Sequence, residues 1–390
     1  MNRRERLMAT LRGEPVDRPP VSFYEINGLD ERPDDPDPFN IYSHPSWAPL
    51  IELAREKSDR IVMRSVPLRG ASADPLAPLT TVETWTDGTS RFTRRTIRCG
   101  RHVFTCTDRR ERDVNTTWRL EHFLKGPDDL RAWLELPAPA FDGEPDVTGV
   151  LAAEAALGDS GIVMIDTPDP LCLAADLFSM ADYTVVAATE PALFHRLLER
   201  FAEFLWPKIE AVARAAPGRL WRIYGPEYAS VPYLHPRFFA EYVVRYDTPM
   251  VRAIQRTAGY ARLHCHGRLK AILDGIAATG CDGLDPIEPP PQGDVELREV
   301  RAKYGRQMVL FGNLEASDIE TLPAEEFAAK IRRALAEGTA GVGRGFVLMP
   351  SSCPYGRVLS PLALANYEKM IEIAEGWDMR QTSNVIRHTS

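Results

Sequence analysis

The sequence predicts an α/β protein, a (βα)8 TIM barrel with an N-terminal antiparallel β-hairpin insertion. Three observations predict it. Six short apolar runs, GIVMIDTPDP, RLWRIYGPEYAS, YARLHCHGR, CDGLDPIEPP, QMVLFGNLEA and GFVLMPSSCP, are separated by helix-like stretches, the pattern of parallel βα units. Between residues 60 and 120 the period changes to two, around turns at Asp87-Gly88 and Gly100-Arg101. No GxGxxG or GxxxxGK[ST] follows any apolar run, so the phosphate loop that would announce an open doubly wound sheet is missing.

Taken in order, NRRERLMATLRGE has helical spacing with Gly13 and Pro15 as a stop, so a helix is expected over about residues 2–12. PPVSFYEING reads as the first strand. Residues 29–49 are rich in proline and acids and read as a long loop of the kind that covers a site. RIVMRSV, TTVETWTD, TSRFTRRTIR and HVFTCTD form the antiparallel layer. From residue 121 onward helices such as PALFHRLLERFAEFLWPKIEAVARAA and PAEEFAAKIRRALAEG alternate with the six apolar runs. The whole chain, 1–390, is read as one barrel domain in which 60–120 is a β-rich insertion.

Composition narrows the function. The chain carries 47 Lys+Arg against 55 Asp+Glu, and the basic residues are scattered with no aromatic-flanked run, so nucleic acid is excluded as the expected partner. No apolar stretch is long enough to span a bilayer and the first twenty residues lack an apolar signal core, which gives a cytoplasmic expectation and no membrane partner. Six scattered cysteines without a CxxC pair read as reduced thiols.

In a βα barrel the chemistry gathers at the carboxyl ends of the strands. There the sequence places Glu25 and Asn27, Asp166, Glu227, His264 and His266, Asp285 and Glu288, Asn313, and Cys353. Residues two apart on a strand share a face, so His264 and His266 can hold one metal between them while Cys265 faces away. A thiolate at Cys353 and a carboxylate at Glu227 would complete a set of N, S and O donors suited to Zn²⁺. The competing reading makes each histidine a hydrogen-bonded structural residue and Cys353 a buried apolar one, with Asp285 and Glu288 as helix caps.

The segments RERLMATLRGEPVDRPPV, LHCHGRLKAILDGIAATGCDGLDPIEPPPQGDVELREVRAKYG, FGNLEA and SPLALANYEKMIEIA together resemble the uroporphyrinogen decarboxylase superfamily over nearly the whole chain apart from residues 29–120. The resemblance implies a (βα)8 barrel. The porphyrinogen decarboxylases carry an arginine-bearing segment after the first strand to grip substrate carboxylates, and this chain reads VSFYEINGLDER there, with Asp30 and Arg32 nearby. The zinc- and corrinoid-dependent methyltransferases of the superfamily resemble it at four metal-ligand positions, which fall on His264, His266, Cys353 and Glu227, with His266 standing where they place Cys. Glu227 and Asn313, both at strand ends, are taken as the catalytic residues, and that branch implies Zn²⁺ as cofactor and a corrinoid (cobalamin) supplied in trans, since the chain lacks a DxHxxG loop. Methyl transfer between a small methylated donor (methoxyarene, methylamine or thioether) or a thiol and that corrinoid is the expected reaction, by a monomer or homodimer acting alone or with a separate corrinoid protein. The alternatives are a metal-free decarboxylase or lyase acting on a non-porphyrin carboxylate, and a non-catalytic scaffold. A hydrolase of the amidohydrolase type needs more histidines, and after His266 the sequence holds only His388.

Overall fold

The computed structural model describes residues 1–378; His388 lies outside them. The chain opens on helix α1 (Arg3–Arg12), started by a reciprocal cap in which Asn2 accepts the Glu5 N–H and Glu5 accepts the Asn2 N–H, and ended by Gly13 at φ +72°. Strand β1 (Arg60–Arg64) follows. An antiparallel sheet comes next: β2 (Thr80–Asp87), β3 (Ser90–Cys99), β4 (His102–Glu111) and β5 (Thr117–Glu121), in that spatial order. The six apolar runs then become β6 (Gly161–Pro168), β7 (Leu220–Tyr224), β8 (Tyr260–Cys265), β9 (Gly283–Pro286), β10 (Val309–Leu314) and β11 (Phe346–Pro350).

β1 and β6 to β11 form one parallel sheet in the order β1-β6-β7-β8-β9-β10-β11. The sheet curls. Its two edges are brought together by residues 20–22: Leu348 of β11 donates to Pro20 O and Ser22 donates to Leu348 O, while the Asp59 N–H, just before β1, donates to Val21 O at 2.6 Å. Helices cross between the strands, among them Pro191–Ala215, Arg245–Gln255 and Ala324–Gly338, each apolar on the side that meets the sheet.

Two expectations are corrected here. RIVMR is not part of the antiparallel layer: Arg60, Ile61 and Val62 are buried on both faces, as an edge strand of the parallel sheet requires, and the flanking arginines only imitate an alternating pattern. PPVSFYEING does not run on as a strand, because Tyr24 turns into the left-handed region at φ +57°.

Strand alternation feeds two cores. Val62, Val163, Ile165, Trp221, Ile223, Leu263, Leu284, Leu310 and Leu348 face the surrounding helices. Ile61, Ile162, Met164, Leu220, Val309, Phe311, Val347 and Met349 face inward and meet Leu7 and Leu11 of α1, which plugs the amino end. The interior is filled, with a void of about 10 Å³ beside Tyr24, Met63, Met164 and Arg262. Toward the carboxyl ends the same inward columns turn polar. After Leu220 comes Arg222, after Met164 comes Asp166, after Gly283 comes Asp285, and after Tyr260 come Arg262 and His264. The antiparallel layer is joined to this end through Arg91 with Asp37 (2.7 Å), Arg110 with Phe39 O (3.0 Å) and the Asn115 N–H with Tyr355 O (2.7 Å).

Candidate functional site

His264 lies in β8 and His266 one residue past its end, on one face, their rings edge to face with centroids 4.6 Å apart. The register of β8 and β9 sets His264 opposite Asp285. His264 Nδ1 is 2.7 Å from Asp285 Oδ2, and His266 Nδ1 is 2.8 Å from Glu288 Oε1, whose other oxygen accepts the Gly267 N–H at 2.6 Å. An ionised carboxylate only accepts, so each neutral ring carries its hydrogen on Nδ1 and its lone pair on Nε2. Burial would raise the Asp285 carboxyl, yet Arg262 and then His264 outweigh it and hold the group below its ordinary value. Glu288 behaves alike: burial opposes its charge, and the bond from His266 more than restores it. In return, Glu288 lifts His266 above its ordinary value against the pull of burial.

Beside the histidines runs a second polar chain. Arg222 donates twice to Asp166, at 2.6 and 3.1 Å, and once to the Tyr24 hydroxyl at 2.7 Å. Tyr24 Oη in turn lies 3.4 Å from His264 Nε2. Arg262 Nε stands 2.9 Å from Asp285 Oδ1, an ion-pair contact whose angle does not make a hydrogen bond. Burial lowers the Arg262 guanidinium from its ordinary value, but so basic a group stays charged.

The structure thus brings His264 and His266 together, sets Glu227 after the neighbouring strand β7 where its charge reaches His266, and gives Cys353 and Asn313 other neighbours. Cys353 Sγ meets Glu25 Oε2 at 3.6 Å, and burial, then Glu25, pushes the thiol up. Glu227 sits in the turn after β7 and accepts the Gly225 N–H at 3.2 Å. That turn admits only glycine at 225, with φ +127° and Asp169 Oδ1 2.2 Å from where a Cβ would stand. Asn313 borders a cleft of about 100 Å³ with Pro289, Pro290 and Glu315. Cys265 is fully buried among apolar side chains, and burial raises its thiol.

Among the described residues no three His, Cys, Asp or Glu side chains stand together as a group able to hold a metal ion. The histidine pair nevertheless fits zinc in the kind of donor and in the partner each ring keeps. Metal-ligating imidazoles use one nitrogen for the ion and donate the other N–H to a carboxylate or carbonyl, as both rings do here. Two ligand corners are prepared, and the remaining donors would have to be drawn in.

Asp285 and Glu288, strand-end candidates whose competing reading was as helix caps, are histidine partners: the register sets Asp285 opposite His264, and Glu288 accepts from His266. It missed Arg222 and Arg262. Their signal was present, an arginine in the middle of each of the apolar runs LWRIY and YARLHC, where a charge is buried only with a partner.

A family model described as uroporphyrinogen decarboxylase (URO-D) matches residues 162–376, more than half of the chain. The chain belongs to the uroporphyrinogen decarboxylase family. The span that matches the family runs from β6 through β11 and includes both histidines and their carboxylates, while Tyr24 and Glu25 fall before it. Among solved structures, a methyltransferase from Methanosarcina mazei aligns with a TM-score of 0.61 at 20% identity, over 96% of this chain and 99% of that one, a likeness of fold. A D-psicose 3-epimerase structure in the presence of D-fructose aligns over 62% of this chain and 90% of that one at 8% identity, with a TM-score of 0.31, too low to bear on the site. No curated protein sequence matches.

Proposed function

We propose that this member of the uroporphyrinogen decarboxylase family is a methyltransferase. It moves a methyl group between a small methylated donor (a methoxyarene, methylamine or thioether) or a thiol and a corrinoid delivered in trans, inside an eight-staved barrel whose eighth stave is the segment 20–22. The observation that carries the reading is the histidine pair at the end of β8, each Nδ1 held by its own buried or half-buried carboxylate. Zinc would be held by His264 and His266 and completed by Cys353 and Glu227, and when bound it would polarise the heteroatom that carries or receives the methyl group. Asp285 and Glu288 hold the imidazoles in one tautomer and one orientation, so the lone pairs need no rearrangement. Asn313 lies at the end of β10, where it is a candidate to orient substrate. The cytoplasm suits the six free thiols.

Porphyrinogen decarboxylation is disfavoured by charge. Arg222 is spent on Asp166 and Arg262 on Asp285, so these two cations are already matched before a polycarboxylate arrives. Zinc-loaded protein with cob(I)alamin should form methylcobalamin from at least one member of a panel of methoxyarenes, methylamines and thioethers, or demethylate methylcobalamin onto a thiol. Chelation should abolish either activity, and uroporphyrinogen should be left unchanged. The proposal fails if no transfer occurs in either direction while metal-free protein decarboxylates a carboxylated substrate.

A further inference from the structure

Tyr24 combines features that ordinary packing does not require. Its backbone sits at φ +57°, a region that bulky residues rarely occupy. This turn places the phenol inside, 8% exposed, with its ring centroid 6.0 Å from that of His264 at 27°. The direction of each hydrogen bond follows from the donors. Arg222 can only donate, so the Tyr24 oxygen accepts at 2.7 Å and its own hydrogen is left for another acceptor. His264 Nε2 is at 3.4 Å, and it is the lone-pair nitrogen because Nδ1–H is given to Asp285. The chain therefore runs one way, from Arg222 through Tyr24 and His264 to Asp285. Arg222 is itself locked on Asp166 by two hydrogen bonds, which keeps the phenol from drifting.

We propose that Tyr24 is a built-in competitor for His264 Nε2, a positioning residue that covers the nitrogen in the metal-free protein and must release it before a metal binds. The inference rests on the zinc reading above and adds a residue to it. The site is tuned to be weaker than its two prepared imidazoles alone would make it.

Two measurements test this, neither of them activity. In Tyr24→Phe the ring, the backbone turn and the packing stay and the hydroxyl goes. Competition for Zn²⁺ against a chromophoric chelator should then show roughly five- to tenfold tighter binding than wild type, the value of one modest hydrogen bond. His264→Ala serves as the control that loses the metal. In metal-free wild-type protein, imidazole ¹⁵N NMR should show His264 as the Nδ1–H tautomer with Nε2 accepting a hydrogen bond, and Zn²⁺ should remove that bond. Equal or weaker zinc binding by Tyr24→Phe, or an Nε2–H tautomer in the wild type, overturns the competitor role and leaves the zinc reading standing. No zinc in either protein overturns the zinc reading and the competitor role with it.

Discussion

His264 and His266 owe their poise to neighbours that no local pattern names. The HxH spacing was legible in the sequence because a strand has a period of two, and so was the opposite facing of Cys265. Their pairing with the carboxylates was not, since acids before prolines also read as caps until β9 is paired with β8 and His264 falls opposite Asp285. Cys353 and Glu227 were placed with the histidines because all four follow strands. The sheet order treats the two differently: Glu227 follows β7, which pairs with β8, whereas β11 lies three strands from β8, about 14 Å along the curl at the usual strand spacing, and Cys353 meets Glu25. At this scale the expected outcome is that Asp285→Asn lowers zinc affinity about 10- to 100-fold, because the amide no longer fixes the Nδ1–H tautomer of His264. Cys265→Ser should bind zinc as the wild type does, since that side chain faces the helices. Equilibrium dialysis of the two variants checks both statements.

Helix α1 shows how much an element's role depends on its anchors. Its residue range and stop at Gly13 were readable from spacing and turn chemistry. Its place was not, because that rests on Arg6 reaching Asp17 at 2.7 Å and Asp59 at 2.6 Å, the latter 53 residues away and wholly buried. Removing the guanidinium leaves Asp59 with Arg18 as its remaining ion-pair partner. Arg6→Met should therefore destabilise the protein by about 3 kcal/mol in urea titration. The same contact sets a pH response. Burial opposes the charge of Asp17, but the hydrogen bond from Arg6 is the largest influence and holds its carboxyl at about 2, below its ordinary value. A depressed carboxyl stabilises the fold above its unfolded value and ceases to do so as pH falls through about 2. Carboxyl NMR should show Asp17 titrating near 2 in the wild type and near the ordinary aspartate value in Arg6→Met. Unchanged titration would show that Arg6 does not hold α1 in place.

For the whole molecule, the six apolar runs between helices announced the parallel sheet, and each became one of its strands. What the pattern did not carry was which N-terminal segments join the six runs. The seventh strand was misread into the antiparallel layer because it is short and flanked by arginines, and residues 20–22 contribute only a few backbone bonds across the sheet's edges. Curling is what sets an apolar plug beneath a polar rim, with α1 below and the histidines, arginines and carboxylates above. The central claim is that this rim is a metal-dependent site built on the histidine pair. It is tested most directly by growing crystals with one equivalent of Zn²⁺ and collecting diffraction data above and below the zinc absorption edge. One anomalous peak about 2.0–2.1 Å from both His264 Nε2 and His266 Nε2, with Cys353 or Glu227 drawn toward it, is the expected result. A map with no peak at the pair, and His264 still facing Tyr24, would contradict the account.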